Sequence, residues 1–232
     1  MKLCFTSLAL GSYYLKNALI FSKQLFDKDL SIPRILVVDN IQIKVPKNTQ
    51  CVQLEPNSVR TIQRKFNYNL KYQAISAAIK LETDYIIYTD ADFNLHPEFS
   101  IQKITNFLEQ HPEIDCHYMR PCRLGDNKLD QNCIFKNKLE PYGLLKTKKY
   151  DDVEVLNENW FILKHTDKLK IFLEKWKERN LYGIRNNVFA YAEAIEIGLS
   201  LQDAKMSSRY IKYNELFNLF TFKDISGNFH TV

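Results

Sequence analysis

Short apolar runs alternate with amphipathic segments through the first half of the chain. The apolar runs predict buried strands at residues 3–10, 35–38, 51–54 and 85–88. Two helices are predicted between them, one capped by Ser12 and running to about residue 27, and one spanning about 69–81. Strands that alternate with helices in this way indicate an α/β sheet that is largely parallel.

The second half of the chain has a less regular pattern. A helix is predicted from Pro97 to about residue 112, followed by a strand at 114–119. Residues 121–150 lack periodicity and predict long loops, and 153–163 predicts one or two strands. Amphipathic patterns at 167–179 and 188–198 predict two further helices, the second closed by Gly198. We therefore expect mixed strands and loops after the parallel half.

Composition and charge are those of an ordinary globular protein. The 232 residues are 45% hydrophobic and 25% charged, which suits one α/β domain over residues 1–232. A net charge of +5 is too small for a dedicated nucleic-acid binder, and we expect no nucleic-acid partner. Much of the excess lies between residues 136 and 149, either as a solvated loop or as a basic rim facing a phosphate or an acidic acceptor.

The cysteines and the amino terminus bear on the cellular compartment. The five cysteines show no paired spacing of a zinc site and no redox motif, so reduced thiols are the simplest account. Residues 3–10 are too short for a secretory signal, and no run reaches the ~20 apolar residues of a membrane span. We expect a cytoplasmic protein with no transmembrane segment.

Two carboxylates follow the strongest strand signal of the chain. Asp90 and Asp92 come directly after residues 85–88, and positions i and i+2 of an extended backbone point to the same side. Their repulsion is relieved when a cation lies between them, and Mn²⁺ or Mg²⁺ prefers carboxylate oxygens. Such an ion keeps positions open for phosphate oxygens and neutralises a departing diphosphate. The alternative is a strand-end turn whose aspartates cap the next helix.

Residues 65–95 resemble the donor-binding core of GT-A glycosyltransferases, in which a polar loop, a helix, a hydrophobic strand and an Asp-x-Asp motif follow one another. The resemblance implies a Rossmann-like mixed sheet flanked by helices, mostly parallel in its amino-terminal half. It also implies that Asp90 contacts the donor ribose or sugar and that Asp92 binds the metal beside it. Asn67 and Lys71 would approach the nucleotide, although helix capping is an equal alternative for Asn67.

The same resemblance suggests further ligands at the strand ends and late in the chain. The first two strands would end at the nucleotide, which makes Thr6, Ser7 and Asp39 candidates for base or ribose contacts, with a plain turn as the alternative for Asp39. Many GT-A enzymes use a late histidine as an additional metal ligand. His230 is the matching candidate, and a solvated terminal histidine is the alternative.

Catalytic groups are expected in the second half of the chain. An inverting transferase needs a general base at the acceptor hydroxyl, and a retaining one needs polar groups that steady the sugar. The segment 156–164 is similar to a family turn in which an asparagine, here Asn157, lies beside the donor sugar; Asn159 stands where the family often has glycine. Glu193, on a late acidic helix, is the favoured base, with a solvated helix face as the alternative, and Glu158 and Asp152 are further candidates.

The resemblance implies a metal-dependent glycosyltransferase of the hexosyl- or deoxyhexosyltransferase class. Its donor would be a nucleotide-diphosphate sugar, most simply a UDP-sugar, bound by residues 1–120, and residues 121–232 would bind a glycan, lipid or protein-linked acceptor. One alternative is a catalytically silent protein that binds a glycan or a partner. Another is a phosphatase of the haloacid-dehalogenase type, which fits poorly because ~90 residues precede the motif and Asn94 replaces the usual Thr, Val or Gly.

Overall fold

A computed structural model describes most of the chain. The described residues are 1–29, 31–39, 41–54, 70–123, 154–185, 192–212, 215–216, 218–223 and 229–231. The predicted loops at 124–150 lie outside them.

A seven-stranded mixed sheet forms the centre of the protein. Its strands are β1 (Leu3–Ala9), β2 (Arg34–Val38), β3 (Thr49–Gln53), β4 (Tyr85–Thr89), β6 (Cys116–Arg123), β7 (Glu154–Lys164) and β8 (Ser208–Tyr210). They are arranged in the order β3-β2-β1-β4-β7-β6-β8. The pairs among β1 to β4 are parallel, and among these described strands β7 alone runs in the opposite direction. The carboxyl ends of β1, β2 and β4 therefore share one edge.

A second, smaller sheet lies next to that edge. It joins β5 (Phe93–Leu95), β9 (Phe220–Lys223) and β10 (Phe229–Thr231) in the order β10-β9-β5, with both pairs antiparallel. Because β5 begins directly after Asp92, the chain passes from the acidic motif straight into the small sheet.

In the described part of the chain, five helices cover the two faces of the large sheet: α1 (Gly11–Lys28), α2 (Lys71–Ala78), α3 (Ile101–Gln110), α4 (Asp167–Arg185) and α5 (Ala192–Asp203). Alternate residues of β1 point to opposite faces, as a pleated strand requires. Cys4 and Leu8 pack in one apolar cluster with residues of α2, α4 and α5. Leu3 and Phe5 pack in another with residues of α1 and α3. Both faces of the central strands are buried, which explains their unbroken apolar sequences.

The structure confirms the predicted α/β architecture and corrects several element boundaries. Helix α1 begins at Gly11, so Ser12 lies inside it, and its capping position, Leu10, makes no side-chain cap. The helix expected at Pro97 begins at Ile101, because β5 and a turn occupy the preceding residues. Helix α5 continues through Gly198 to Asp203, since residues 199–201 directly after the glycine remain buried. No described helix combines the length and the apolar character needed to cross a membrane.

Candidate active site

The acidic motif lies at the carboxyl edge of the large sheet, at the end of β4. All five residues of β4 are buried, so the strand is fixed from both faces. The backbone N–H of Asp90 donates to the carbonyl of Asn159, 2.7 Å away, and the N–H of Phe93 donates to the Asp90 carbonyl at 3.3 Å. These bonds close a turn in which Ala91 is buried and both aspartates are partly exposed. The motif is thus held rigidly by backbone contacts.

Lys71 brings two of the predicted site carboxylates together. It is the first residue of α2, and its side chain is only 7% exposed. The Nζ atom lies 2.9 Å from Oδ1 of Asp90 and 3.3 Å from Oε2 of Glu193, whose side chain is 5% exposed. A buried ammonium therefore connects α2, the end of β4 and the start of α5.

Tyr88 is a member of this site that the sequence analysis did not identify. Its hydroxyl donates to Oδ1 of Asp90 at 3.1 Å, and Nζ of Lys71 lies 5.5 Å from the centre of its ring. Burial raises the pKa of Tyr88 well above its usual range, and the charges of Asp90 and Glu193 raise it further, so the phenol remains a neutral donor. The signal was present in the sequence, since Tyr88 is two residues before Asp90 in an extended strand.

Electrostatics at the edge favour an additional cation. Burial raises the pKa of Asp92, the negative charge of Asp90 raises it further, and Lys71 counteracts this only in part. Two carboxylates that repel each other at a half-buried site are a suitable oxygen donor set for a hard divalent ion. Among the described residues no group of three or more His, Cys, Asp or Glu side chains is arranged to hold a metal.

The topology brings other predicted residues to the same edge. His230 pairs with Phe222 from one side and Phe93 pairs with Phe222 from the other. The backbone of His230 is therefore two strands, or roughly 10 Å, from the residue that follows Asp92. On β7, Trp160 pairs with Thr89, so the backbone of Asn157 and Glu158 extends past the end of β4. The side chains of His230, Asn157 and Glu158 are outside the described part, as are residues Asn67 and Asp152.

Two predicted nucleotide contacts, Thr6 and Ser7, have structural roles in the described protein. Thr6 is fully buried and its hydroxyl donates to the carbonyl of Ala74 at 2.9 Å. Ser7 is also fully buried; its Oγ is 3.1 Å from Oγ1 of Thr89 and accepts from Nη2 of Arg34 at 3.0 Å. Neither hydroxyl has a surface on which a ligand could dock, so we leave both residues out of the proposed site.

Asp39 remains at the edge in an exposed position. Its Oδ2 accepts a hydrogen bond from the backbone N–H of Gly11 at 3.1 Å, which fixes the turn between β1 and α1. Gly11 has φ of 78°, a left-handed conformation that glycine adopts without strain. The carboxylate thus stabilises the turn and keeps an exposed surface close to the ends of β1 and β2.

Two open clefts of about 550 and 670 Å³ lie at the other end of the sheet. They share Met1, Lys2, Glu82 and Thr83, which precede β1 and β4. Of the predicted site residues that the structure describes, none lines either cleft. The candidate site is therefore identified by its converging charged side chains and by its place at the carboxyl ends of the strands, not by a cleft.

Comparisons with known proteins support the fold. No protein-family model matches the sequence, and a comparison with curated protein sequences also gives no match. Among solved structures, the chain is similar to an active-site mutant of LgtC, with 14% identity and a TM-score of 0.52 over 92% of this chain and 73% of that one. It is also similar to the galactosyltransferase LgtC in complex with donor and acceptor sugar analogs, with 14% identity and a TM-score of 0.51 over 92% and 74% of the two chains. The chain therefore has the GT-A fold that its sequence predicts.

Proposed function

We propose that this protein is a metal-dependent glycosyltransferase that transfers a sugar from a nucleotide diphosphate, most simply a UDP-sugar, to a glycan, lipid or protein-linked acceptor. The observation that carries the proposal is the convergence of Asp90, Asp92, Lys71 and Glu193 at the carboxyl edge of a GT-A sheet. Open α/β sheets bind ligands at this edge. One structure with the same fold is described as a galactosyltransferase with donor and acceptor sugar analogs.

A divalent cation, Mn²⁺ or Mg²⁺, would be held by the carboxylates of Asp90 and Asp92, with His230 as the additional ligand. Oxygen donors of this kind suit both ions. When bound, the cation supplies positive charge that offsets the negative charge developing on the departing diphosphate.

Lys71 and Glu193 have complementary tasks in this proposal. Lys71 is a buried ammonium 2.9 Å from Asp90, so it adds positive charge on the side of the site where a diphosphate would lie. Oε2 of Glu193 lies 3.3 Å from the ammonium of Lys71. In an inverting reaction its carboxylate would accept the proton of the acceptor hydroxyl, and in a retaining reaction it would stabilise positive charge on the sugar.

Calorimetric titration with UDP, with and without Mn²⁺, tests the proposal. We expect UDP to bind at least about tenfold more tightly when Mn²⁺ is present, because metal and diphosphate share contacts. Asp92→Asn should remove this coupling, whereas Asp27→Asn, a control on the exposed side of α1, should keep it. Equal UDP affinity with and without metal in the unchanged protein would contradict the proposal.

A panel of nucleotide sugars identifies the donor. Transferases of this kind hydrolyse their own donor slowly when no acceptor is present, so one nucleotide sugar should be consumed in a metal-dependent way. The same panel with Asp92→Asn should show no consumption above background. Donor hydrolysis that survives this substitution at the full rate would place the chemistry elsewhere.

A further inference from the structure

The ion pair between Lys71 and Asp90 occupies a carboxylate that the proposed metal would use. Oδ1 of Asp90 already receives two donors, the ammonium of Lys71 at 2.9 Å and the hydroxyl of Tyr88 at 3.1 Å. A divalent ion that approaches the acidic pair must therefore compete with a cation that belongs to the protein.

The second contact of Lys71 gives the ammonium an alternative position. Its Nζ is 3.3 Å from Oε2 of Glu193, and both side chains are almost completely buried. If Asp90 turned to a metal, Lys71 would keep one carboxylate partner and would not be left as an unpaired buried charge, which costs several kcal/mol. A small movement of the ammonium between two carboxylates is therefore sufficient to release Asp90.

We propose that Lys71 is a positioning residue that holds Asp90 in the metal-free protein and yields it to the divalent cation when a diphosphate arrives. This rests on the proposed function. The three carboxylates and one ammonium of the site carry a net charge of about −2, so a lone divalent ion is attracted but must displace Lys71. A diphosphate offers the displaced ammonium a new anion. Metal and nucleotide consequently bind cooperatively, and the metal alone binds weakly.

The direct test measures binding of Mn²⁺ by the loss of the electron paramagnetic resonance signal of free Mn²⁺. Without UDP, Lys71→Met should bind Mn²⁺ about tenfold more tightly than the unchanged protein, because the competing cation has been removed from contact with Asp90. Adding UDP should then tighten Mn²⁺ binding less than it does in the unchanged protein. Lys71→Arg keeps a cation at the site and should remain closer to the unchanged protein.

Removing any positive charge from the protein slightly favours the binding of a cation such as Mn²⁺, so a matched control is required. Lys168→Met removes one lysine that is paired with Asp115, away from the acidic motif, and should change Mn²⁺ affinity by less than about threefold because exposed charges are screened. If Lys71→Met binds Mn²⁺ only as tightly as Lys168→Met does, or more weakly than the unchanged protein, the inference is overturned.

A second measurement applies if Lys71→Met does not fold. In a crystal of the unchanged protein with Mn²⁺ and UDP, the distance between Nζ of Lys71 and Oδ1 of Asp90 should exceed about 4 Å, the limit of an ion pair. A separation that stays near 2.9 Å would contradict the inference. If Mn²⁺ fails to bind even with UDP, the proposed function itself fails; if it binds and only the predictions for Lys71 fail, the inference alone is wrong.

Discussion

At the scale of single residues, three buried side chains that can carry positive charge are accommodated in different ways. Lys71 lies between two carboxylates. Arg34 lies 4.1 Å above the ring of Phe21 and donates to Ser7, and burial lowers its pKa to about 9. His117 is completely buried, and neither of its ring nitrogens has a hydrogen-bond partner among the described residues. Of the three, only Lys71 places a charge next to the proposed site. The burial of His117 predicts that the folded protein is sensitive to acid.

His117 should make the folded protein less stable in mild acid. The pKa of His117 is lowered from 6.5 to about 3, mainly by burial and also by the nearby charges of Arg209 and His111, while Glu215 counteracts them. The unfolded chain then takes up this proton more readily than the folded protein. Stability is complete above pH 6.5 and falls as the pH decreases from 6.5 towards 3, by at most about 1.4 kcal/mol per pH unit.

Urea unfolding of the unchanged protein and of His117→Leu at pH 7 and pH 5 measures this effect. The ring of His117 lies 4.9 Å from that of Phe107, so leucine occupies an apolar environment. The variant should lose less stability between the two pH values. An identical loss in both proteins would show that His117 is not the responsible group.

At the scale of elements, Asp115 anchors the short edge strand β8. Its Oδ2 accepts hydrogen bonds from the backbone N–H and the hydroxyl of Ser207, at 2.9 and 3.0 Å, and from Nζ of Lys168 at 2.8 Å. Burial raises the pKa of Asp115, but the hydrogen bonds from Lys168 and Ser207 outweigh it and the net pKa is lowered. The carboxylate therefore connects β6, β8 and the start of α4.

Asp115→Ala should lower the free energy of unfolding by about 1–3 kcal/mol, because the half-exposed ammonium of Lys168 and the partly buried Ser207 lose a shared acceptor. Ser207→Ala removes one hydroxyl and should cost about 1 kcal/mol. Urea denaturation of both variants at pH 7 measures these losses. A loss below about 0.5 kcal/mol for Asp115→Ala would show that β8 is held mainly by its apolar contacts.

The elements that the sequence predicted well are those with a local signal. The strands β1, β2 and β4 are buried on both faces, and their apolar runs are visible without any knowledge of their partners. The strands β5, β8 and β10 have three residues each and are defined by remote pairing, so no local pattern predicts them. Gly198 misled the prediction because burial against the sheet overrides the helix-terminating tendency of glycine.

The residues of the candidate site also divide into those with a local sequence signal and those that depend on contacts between remote elements. Asp90 and Asp92 could be identified because a strand and its terminal residues form one continuous segment. The contact between Lys71 and Glu193 could not, because it requires α2 and α5, which are far apart in sequence, to pack on the same face of the sheet. Thr6 and Ser7 lie within β1 and point to opposite faces of the sheet, and both hydroxyls are buried because both faces are covered.

At the scale of the whole molecule, Phe220 ties the small sheet to the large one. The side chain is completely buried, and its ring lies 5.2 Å from Trp160 on β7, 5.9 Å from Phe93 on β5 and 6.4 Å from Phe5 on β1. Because β5 begins next to Asp92, the position of the acidic motif depends on this contact between the sheets.

Phe220→Ala should lower the free energy of unfolding by about 3–5 kcal/mol through the cavity that it creates. Phe220→Leu fills most of that volume and should cost less than about 1.5 kcal/mol. Urea denaturation of both variants measures the difference. Equal stabilities would mean that the interface between the sheets collapses to fill the space.

The GT-A fold alone does not determine a reaction, since one fold serves many functions. What distinguishes this chain is the charge arrangement at its sheet edge, where Lys71 and Tyr88 meet Asp90 beside a half-buried Asp92.

Anomalous scattering from a crystal soaked in Mn²⁺ and UDP tests the central claim most directly. The account predicts one strong manganese peak within about 2.0–2.5 Å of carboxylate oxygens of Asp90 and Asp92, with the UDP diphosphate as a further ligand. An acidic edge with no manganese peak, or with the peak and the UDP bound elsewhere, would contradict it.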